Sequence, residues 1–189
     1  MLAAPRHLST TELERGLPEV LASPRDDGRL VAIVVRPAAN ERRVLTAAQL
    51  SPERGIDGDR WAHEPSPDPL GQVSLMNARF LRQIAGHDDA VSLAGDNLIV
   101  DLDLGEENLP PGSRLAIGAS VVVEINGEPH TGCGKFQKRY GAETRAFMNN
   151  ARGTLLHLRG RYGRIITGGT IASGDAVRKL PTSGPANAG

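Results

Sequence analysis

The chain has a single cysteine, Cys133, and the residues around it are those that thiol chemistry uses. It lies in the stretch HTGCGKF between Gly132 and Gly134, three residues after His130 and two before Lys135. Because glycine lacks a Cβ, the two glycines favour a turn that leaves the sulfur accessible. Neighbouring cations lower the pKa of a thiol and favour the nucleophilic thiolate. The local sequence is compatible with a reactive cysteine, and equally with a small buried residue whose thiol is inert.

An ionised Cys133 has four chemical uses. Acyl transfer would need a base such as His130, but triad partners usually come from distant segments, so this spacing does not identify one. A metal site formed by His130 and Cys133 would lack further cysteines, and we expect no structural zinc. The thiolate would otherwise carry sulfur as a persulfide, or ligate a soft metal presented by an anionic cofactor. The last two uses fit a cationic environment better than the first two.

Charge is balanced over the whole chain but unevenly distributed. Residues 83–113 contain seven Asp or Glu and no Lys or Arg, whereas residues 130–164 contain eight Lys or Arg and one acid. A cationic region favours anionic ligands, although pairing between acidic and basic surfaces would give the same pattern. With six aromatic residues, a pI near 7.0 and no known helix or zinc signature, we expect no nucleic-acid partner.

Composition also bounds the location and the number of domains. One cysteine cannot form an internal disulfide, no apolar run has the length of a membrane helix, and the first residues show no secretory pattern. We therefore expect a cytoplasmic protein with no membrane partner. A length of 189 residues suits one domain. Residues 1–28 are interpreted as an N-terminal extension with a short helix, capped at Thr10 or Thr11 and broken by Gly16 and Pro18.

Short apolar runs separated by turn residues predict the elements that must position Cys133. In chain order these are a strand at 29–37 paired with 42–50, a loop at 54–71, a helix at 74–86, a short strand within 94–104, a hairpin at 114–125, a helix at 142–153 and further short strands to 180. The helix at 74–86 is expected to begin at Ser74 and end at Gly86, and Gly153 to end the later helix. Gly168-Gly169 is expected to form a two-residue hairpin turn.

Many short strands and only two or three helices predict a mainly β fold of mixed α/β type. A β-barrel or sandwich with helical insertions fits this pattern. A doubly wound sheet is disfavoured, because strands and helices do not alternate regularly. The composition of residues 181–189 predicts a disordered tail.

Six sequence blocks occur in an order that resembles one known family. They are GIDGDRW (55–61), SLMN (74–77), AGDNLIV (94–100), PPGSRLAIG (110–118), HTGCGKF (130–136) and GRIITGGTIASGDAV (163–177). The chain resembles the MOSC domain, which is found at the C-terminus of molybdenum cofactor sulfurases and in stand-alone bacterial proteins. The resemblance covers about residues 29–180 and implies a β-barrel with the cysteine in a cleft.

The chemistry of the side chains suggests roles for polar residues of these blocks. Asp59 and Arg60 are expected to pair and to shape the cleft or bind an oxyanion, with a structural turn as the alternative. Asn97 is expected to bond to a cofactor or to the backbone. Lys135 and Arg164 are expected to hold the thiolate or a phosphate, with a solvated side chain as the alternative.

For function, the resemblance implies that Cys133 carries sulfur as a persulfide. A cysteine desulfurase would be the donor, and molybdenum cofactor or a molybdoenzyme the acceptor. Some relatives instead bind molybdenum cofactor with the cysteine as metal ligand and reduce N-hydroxylated compounds. A binding domain with an inert cysteine is the third alternative, and the family is also associated with pyridoxal phosphate binding. The chain has Trp61 where many relatives have His, with His63 as a substitute, and Asp96 where relatives usually have Glu.

Overall fold

The computed structural model describes residues 7–86 and 91–181. Within these ranges the strands are β1 (Gly28–Val35), β2 (Arg43–Leu45), β3 (Ala47–Ser51), β4 (Gly55–Ile56), β5 (Val73–Asn77), β6 (Leu98–Asp101), β7 (Arg114–Ile117), β8 (Val121–Ile125), β9 (Arg161–Thr167), β10 (Gly169–Ala172) and β11 (Ala176–Lys179). The helices are α1 (Thr10–Leu21), α2 (Ala78–Ala85), α3 (Gly134–Tyr140), α4 (Ala142–Asn149) and α5 (Ala151–Leu155). Short 3₁₀ turns lie at Arg60–His63 and Pro69–Gly71.

Seven strands close into a barrel. They are hydrogen-bonded in the order β11-β7-β8-β9-β5-β6-β1, and β1 returns to β11 with Gly28 opposite Val177. Only β5 and β6 run parallel among these pairs. Alternate residues of β8 point inward, as in a strand with one buried face. Their interior side chains, with those of the neighbouring strands, form a continuous apolar core. The prediction of a mainly β barrel with helical insertions is confirmed.

The helices cover one side of the barrel and bury a second apolar cluster. It includes Leu13 and Leu17 of α1, Phe80 of α2, Phe136 of α3 and Phe147 of α4. The N-terminal segment therefore contributes side chains to the same core as the domain that follows it. Residues 182–189, which hold most of the predicted tail, lie outside the described residues.

Helix α1 is continuous, so the predicted break is wrong. Its N-cap is Ser9 rather than a threonine, and Ser9 forms a reciprocal capping box with Glu12. Gly16 lies against Gln83 of α2, whose Nε2 donates to the carbonyl oxygen of Leu13 at 2.9 Å. Pro18 removes one intrahelical hydrogen bond, but packing of the apolar face onto the second cluster holds the helix together.

The helix predicted at 74–86 is a strand followed by a helix. Ser74 lies inside β5, whose five residues are all buried between β6 and β9. The helix begins after Asn77, whose side-chain oxygen accepts the N–H of Phe80 at 2.9 Å. Gly86 does end it, with a positive φ of 80°. The apolar spacing of 74–86 predicts a helix throughout. Residues 74–77 nevertheless form a strand, because a strand that is buried on both faces lacks the polar–apolar alternation by which surface strands are recognised.

Two further turn predictions are wrong, while the 114–125 hairpin is confirmed as β7 and β8. Gly168-Gly169 does not close a hairpin, because β10 pairs with β3 in a separate three-stranded sheet. For the same reason only the first part of 42–50, β2, pairs with β1. Gly153 does not end a helix but lies inside α5, where Asn150 caps its N–H at 2.7 Å. A Cβ at Gly153 would lie 2.3 Å from the carbonyl oxygen of Phe147, so close packing explains this glycine.

Candidate functional site

Cys133 lies at the N-cap position of α3, a helix that the sequence analysis did not predict. Its side chain makes no capping hydrogen bond, and the residue is exposed. Burial of the sulfur opposes ionisation, but the backbone N–H groups of Phe136 and Lys135 and the charge of Arg159 outweigh it. The net result is a lowered pKa for the Cys133 thiol. The geometry thus favours a thiolate that reagents can reach.

The two glycines beside Cys133 differ in their surroundings. A Cβ at Gly134 would meet no other atom within 4 Å, so this side of the thiol is open. Gly132 is packed, since a Cβ there would lie 2.3 Å from Cε of Met148. Its carbonyl oxygen also accepts Nε of Arg145 at 2.8 Å. One glycine therefore keeps the approach free, and the other fixes the backbone.

Asp96 organises the charged groups behind the thiol. Its Oδ2 accepts a 2.7 Å hydrogen bond from Nη1 of Arg159, and both side chains are buried. The guanidinium of Arg159 lies 4.8 Å from the ring centre of Phe136, in the first turn of α3. Asp96 therefore holds Arg159 beside the helix that carries Cys133. Asp96, which the sequence analysis noted only as a shorter carboxylate in place of Glu, thus positions Arg159.

His130 lies on the other side of Asp96. Its Nε2 is 3.7 Å from Oδ1 of Asp96, and its ring packs on Tyr162 with centres 4.1 Å apart. Burial, together with the charges of Arg159 and Arg36, outweighs the attraction of Asp96 and lowers the pKa of His130 to about 4. The imidazole is consequently neutral near pH 7. No described contact joins it to the thiol, so its proposed role as base has no direct geometric support.

A second network holds Arg36, which follows β1. Asp59 accepts its Nε at 3.0 Å and its Nη2 at 3.2 Å, while Oδ1 of Asn97 accepts Nη2 at 3.1 Å. Burial opposes ionisation of Asp59, but these bonds to Arg36 and the N–H of Trp61 give a lowered pKa. Asn97 also bonds to Ser74 and to the carbonyl oxygen of Val34. Both predicted site residues thus act on Arg36, through buried hydrogen bonds.

The other predicted residues lie apart from these networks. Arg60 pairs with Glu64 at 3.0 Å, so the expected Asp59–Arg60 pair is wrong, because Asp59 faces Arg36. Arg164 pairs with Glu124 at 2.7 Å on a half-exposed part of β9. The side chain of Lys135 donates to Oδ1 of Asn40 at 2.8 Å, and its backbone N–H, not its ammonium group, is among the groups that lower the pKa of the thiol. Whether any of these residues binds a ligand stays a prediction.

Sequence reasoning missed the arginine cluster, which we define as Arg36, Arg42, Arg139 and Arg159. Arg42 lies against Gly95, where a Cβ would be 3.2 Å from its Nη2, and Arg139 donates to the carbonyl oxygen of Leu93. Burial and the charges of Arg139 and Arg36 lower the pKa of Arg42. The basic stretch 130–164 signalled only the last two members. The first two come from the segment after β1, where the letters RPAANERR gave a weak signal.

Several polar atoms of this region are buried without a partner. They are Nε of Arg42, Nδ1 of His130, the hydroxyl of Tyr140 and Nε of Arg159. Buried polar groups in folded proteins are nearly always hydrogen-bonded. These atoms therefore mark a place where a ligand or ordered water completes the hydrogen bonding.

Three further features concern metal binding, membrane spanning and cavities. No three His, Cys, Asp or Glu side chains of residues 7–86 and 91–181 are grouped as ligands for a metal ion. In the same residues, no helix is long and apolar enough to cross a membrane. A cavity of about 580 Å³ has walls formed by Val20, Leu21, Leu104, Leu155, Leu156 and Leu158 and is also lined by Asp103 and Glu107. Cys133 and the arginine cluster are not part of its described lining.

The structure is thus a closed mixed barrel with an exposed thiol at the start of α3 and the buried Arg159 beside that helix. A family model described as MOSC domain matches residues 59–178, well over half of the chain, and the chain belongs to the MOSC domain family. No curated protein matches.

Solved structures share the fold at low sequence identity. YiiM from Escherichia coli is 16% identical, with a TM-score of 0.54, over 82% of this chain and 70% of that one. YuaD from Bacillus subtilis is 14% identical, with a TM-score of 0.53, over 82% and 97%. A crystal structure of a hypothetical protein is 16% identical, with a TM-score of 0.61, over 85% and 71%. At these identities the likeness concerns the fold alone.

Proposed function

We propose that this protein is a sulfur carrier linked to molybdenum cofactor, with sulfur held as a persulfide on Cys133. The observation that carries the proposal is the exposed thiol with a lowered pKa at the start of α3. A carrier must meet a protein donor, and the open space beside Gly134 leaves room for that approach. A lone reduced thiol also fits the cytoplasm, where we place the protein.

The residues present fit an anionic cofactor at this site. The arginine cluster contains four guanidinium groups, and two of them are paired with the buried carboxylates of Asp59 and Asp96. Two of its Nε atoms, those of Arg42 and Arg159, are buried donors without a partner. Arginine is suited to bidentate binding of phosphate and other oxyanions. Arg42 and Arg159 would thus hold the anionic part of molybdenum cofactor, which when bound supplies a metal centre that accepts sulfur ligands.

The carrier step is a thiolate attack on sulfur. The Cys133 thiolate attacks the terminal sulfur of a protonated persulfide on a cysteine desulfurase. A new S–S bond forms on Cys133 as the donor's S–S bond breaks, and the donor cysteine leaves as a thiolate. The proton stays on the transferred sulfur, so no external oxidant or reductant is needed.

The chain's own residues assist this step in separate ways. Backbone N–H groups of Lys135 and Phe136 stabilise the negative charge before attack. Arg159, oriented by Asp96, adds a cation that needs no movement during the reaction. His130 stays neutral near pH 7, so Arg159 and not the imidazole is the cation paired with Asp96.

Intact-mass measurement tests the proposal directly. The protein is incubated with a cysteine desulfurase and cysteine, and we expect a gain of one sulfur atom that a reductant removes. Cys133→Ala should gain none, and Arg178→Gln, at an exposed ion pair with Asp27, serves as a matched surface variant that should gain sulfur normally. A wild-type chain that takes up no sulfur from an active desulfurase would contradict the carrier function.

A second candidate is a molybdenum-dependent reductase of N-hydroxylated compounds with Cys133 as the metal ligand. The observation that favours it is the arginine cluster, since one or two N–H groups suffice to stabilise a persulfide. The test is the molybdenum content of protein purified from a cofactor-producing host. Stoichiometric molybdenum that is lost in Cys133→Ala supports the reductase, whereas an exchangeable sulfur without molybdenum supports the carrier.

A further inference from the structure

The cavity of about 580 Å³ lies between the end of α1, the segment that follows β6 and the segment around the end of α5. Each of the three segments contributes leucine side chains to its lining. Small-molecule sites have volumes of this order and are concave and mostly apolar, with a few polar groups. Leu21 and Leu155 belong to the lining and are nevertheless 49% and 63% exposed. An apolar ligand in the cavity would remove both side chains from water.

Two of the three carboxylates that line the cavity are paired with cations. Glu107 forms an exposed ion pair with Arg25 at 3.1 Å. Oε2 of Glu106 accepts Nη1 of Arg161 at 2.9 Å and lies 2.6 Å from Nε2 of His157. Burial outweighs the attraction of Glu106 and lowers the pKa of His157, so the imidazole is neutral near pH 7. One guanidinium group therefore matches each of these two carboxylates.

Asp103 is the third carboxylate of the lining, and its charge is not matched in this way. Its Oδ1 accepts the N–H of Gly105 at 2.9 Å. Within residues 7–86 and 91–181, no Lys, Arg or His forms an ion pair with it. The backbone of Asp103 is fixed, because its N–H donates to Pro24 at 2.8 Å and its carbonyl oxygen accepts Nδ2 of Asn108 at 2.8 Å. The cavity thus combines apolar walls with one carboxylate that lacks a cation.

This combination defines the chemistry of a ligand. An ammonium group donates charge-assisted hydrogen bonds to a carboxylate, and these are about twice as strong as bonds between neutral groups. An apolar body attached to it would gain about 25 cal/mol for each Å² of apolar surface removed from water. An uncharged apolar ligand would gain only the second contribution, and an anionic one would be repelled by Asp103. The cavity therefore favours a cation with an apolar body over a neutral or anionic ligand of the same size.

We propose that this cavity is a binding site for an amphiphilic organic cation. Its ammonium group bonds to the carboxylate of Asp103, and its apolar body packs against Leu104 and Leu155. Cys133 is not among the lining residues, so the cavity is a second site and the inference does not rest on the proposed function.

Three probes with the same alkyl chain and different head groups test the inference. n-Octylammonium, 1-octanol and octanoate are titrated into the full-length protein by calorimetry. We expect n-octylammonium to bind about tenfold more tightly than 1-octanol, the typical worth of a hydrogen bond to a charged group. Octanoate should bind more weakly than 1-octanol. In ¹⁵N–¹H spectra the amide signals of Gly105 and Leu155 should shift on binding, while that of Gly134 should not.

Asp103→Asn isolates the contribution of the charge. Asparagine retains a side-chain oxygen for the N–H of Gly105, so the local backbone should be preserved. The variant should lose about tenfold in affinity for n-octylammonium and stay within twofold of the wild type for 1-octanol. Asp57→Asn is the matched control, because Asp57 lines a different cavity of about 320 Å³. It should leave the affinity for both probes unchanged.

Leu155→Ser tests the position of the apolar body. Since Leu155 is exposed, its loss should leave the fold intact while weakening n-octylammonium and 1-octanol alike, by about threefold. Leu70→Ser, at another exposed leucine, should weaken neither. Equal affinities of the wild type for n-octylammonium and 1-octanol, unchanged n-octylammonium affinity in Asp103→Asn, or no binding of any probe would each overturn the inference.

The outcome is independent of the proposed function. n-Octylammonium binding is measured also in Cys133→Ala, where we expect the wild-type affinity. A protein that takes up sulfur on Cys133 but does not bind n-octylammonium would keep the proposed function and lose this inference, and the opposite result would do the reverse.

Discussion

Replacing Arg159 by methionine should remove the partner of an almost completely buried carboxylate. Nη1 of Arg159 and Oδ2 of Asp96 are 2.7 Å apart, and the two side chains are 9% and 1% exposed. Breaking a buried ion pair by removing one member costs about 3–5 kcal/mol. For a chain of this length, the expected fall in the unfolding midpoint is roughly 6–20 °C. His130 lies 3.7 Å from Asp96 and becomes a cation at acidic pH, where it can partner the carboxylate in place of Arg159. At acidic pH we therefore expect the loss of stability to lie near the lower end of this range.

Urea denaturation at pH 7 measures this cost, and a double-mutant cycle isolates its origin. Asp96→Leu combined with Arg159→Met removes both charges and should be clearly more stable than Arg159→Met alone. Arg164→Met is the matched control, because the Arg164–Glu124 pair is 55% exposed on the arginine side and such pairs contribute about 1 kcal/mol or less. A loss below about 1 kcal/mol in Arg159→Met would refute the structural role given to this pair.

The same variant makes a chemical prediction. Arg159 is one of the groups that lower the pKa of the Cys133 thiol, so Arg159→Met should raise that pKa. The thiolate fraction near neutral pH then falls, and alkylation by iodoacetamide slows. Arg178→Met, which removes an exposed ion pair with Asp27, should alkylate at the wild-type rate. Equal pH profiles of alkylation for wild type and Arg159→Met would show that the cluster does not act on the thiol.

Three further predictions concern individual residues. Burial lowers the pKa of His130 to about 4 in the folded protein, below its ordinary value of 6.5. The free energy of unfolding should therefore fall by about 3 kcal/mol as the pH drops from 6.5 through 4. Urea denaturation over this pH range should show a smaller fall in His130→Asn. Gly160→Ala should destabilise by about 2 kcal/mol or more, since φ is 104° and a Cβ would lie 2.1 Å from a backbone oxygen, whereas Gly134→Ala should stay within about 0.5 kcal/mol. Asp59→Asn should cost about 1–3 kcal/mol in urea denaturation, because Arg36 keeps a weaker partner.

Sequence patterns predicted those parts of the fold that local physics determines. The β7–β8 hairpin needs only two short alternating runs and a tight turn, and both are visible in the letters 114–125. Gly86 ends α2 because the αL conformation at that position favours glycine. These features depend on neighbours in sequence, so they are predictable from one chain.

Features that depend on distant partners were not predictable in this way. The pattern of 74–77 predicts helix, but these residues form β5, which is buried on both faces between β6 and β9 and so lacks the alternation of a surface strand. Gly168-Gly169 predicts a hairpin, but β10 pairs with β3, about 120 residues earlier in the chain. Helix α1 persists through Gly16 and Pro18 because Gln83 of another helix supports it. In each case tertiary packing decided a structure that local propensity left open.

In the candidate site, too, residues with a local sequence signal were predictable and residues brought together by the fold were not. Cys133 was identifiable because it is the only cysteine and because its flanking residues suit a turn. Arg36, Arg42 and Arg159 reach its surroundings from two segments more than 100 residues apart, and nothing in their local sequence indicates that they converge. The sequence singles out Asn97 and Asp59 as site residues, and this stays a prediction, because their hydrogen bonds join them to Arg36, to each other and to the backbone.

The arginine cluster exceeds what ionisation of one exposed thiol requires. Backbone N–H groups of Phe136 and Lys135 already act ahead of Arg159 in lowering the pKa of Cys133, and Arg42 does not figure among its main causes. Burying the Nε atoms of Arg42 and Arg159 without hydrogen-bond partners lowers the stability of the fold. A bound ligand that accepts hydrogen bonds from them would offset this cost. Arg159 thus acts on the thiol and belongs to the arginine cluster, whereas Arg42 belongs to the cluster without being a main cause of the thiol pKa. It follows that Cys133→Ala should abolish sulfur or metal attachment while leaving oxyanion affinity intact, and Arg42→Met should do the reverse. If both variants lost both properties, the thiol and the arginine cluster would have to be treated as one site.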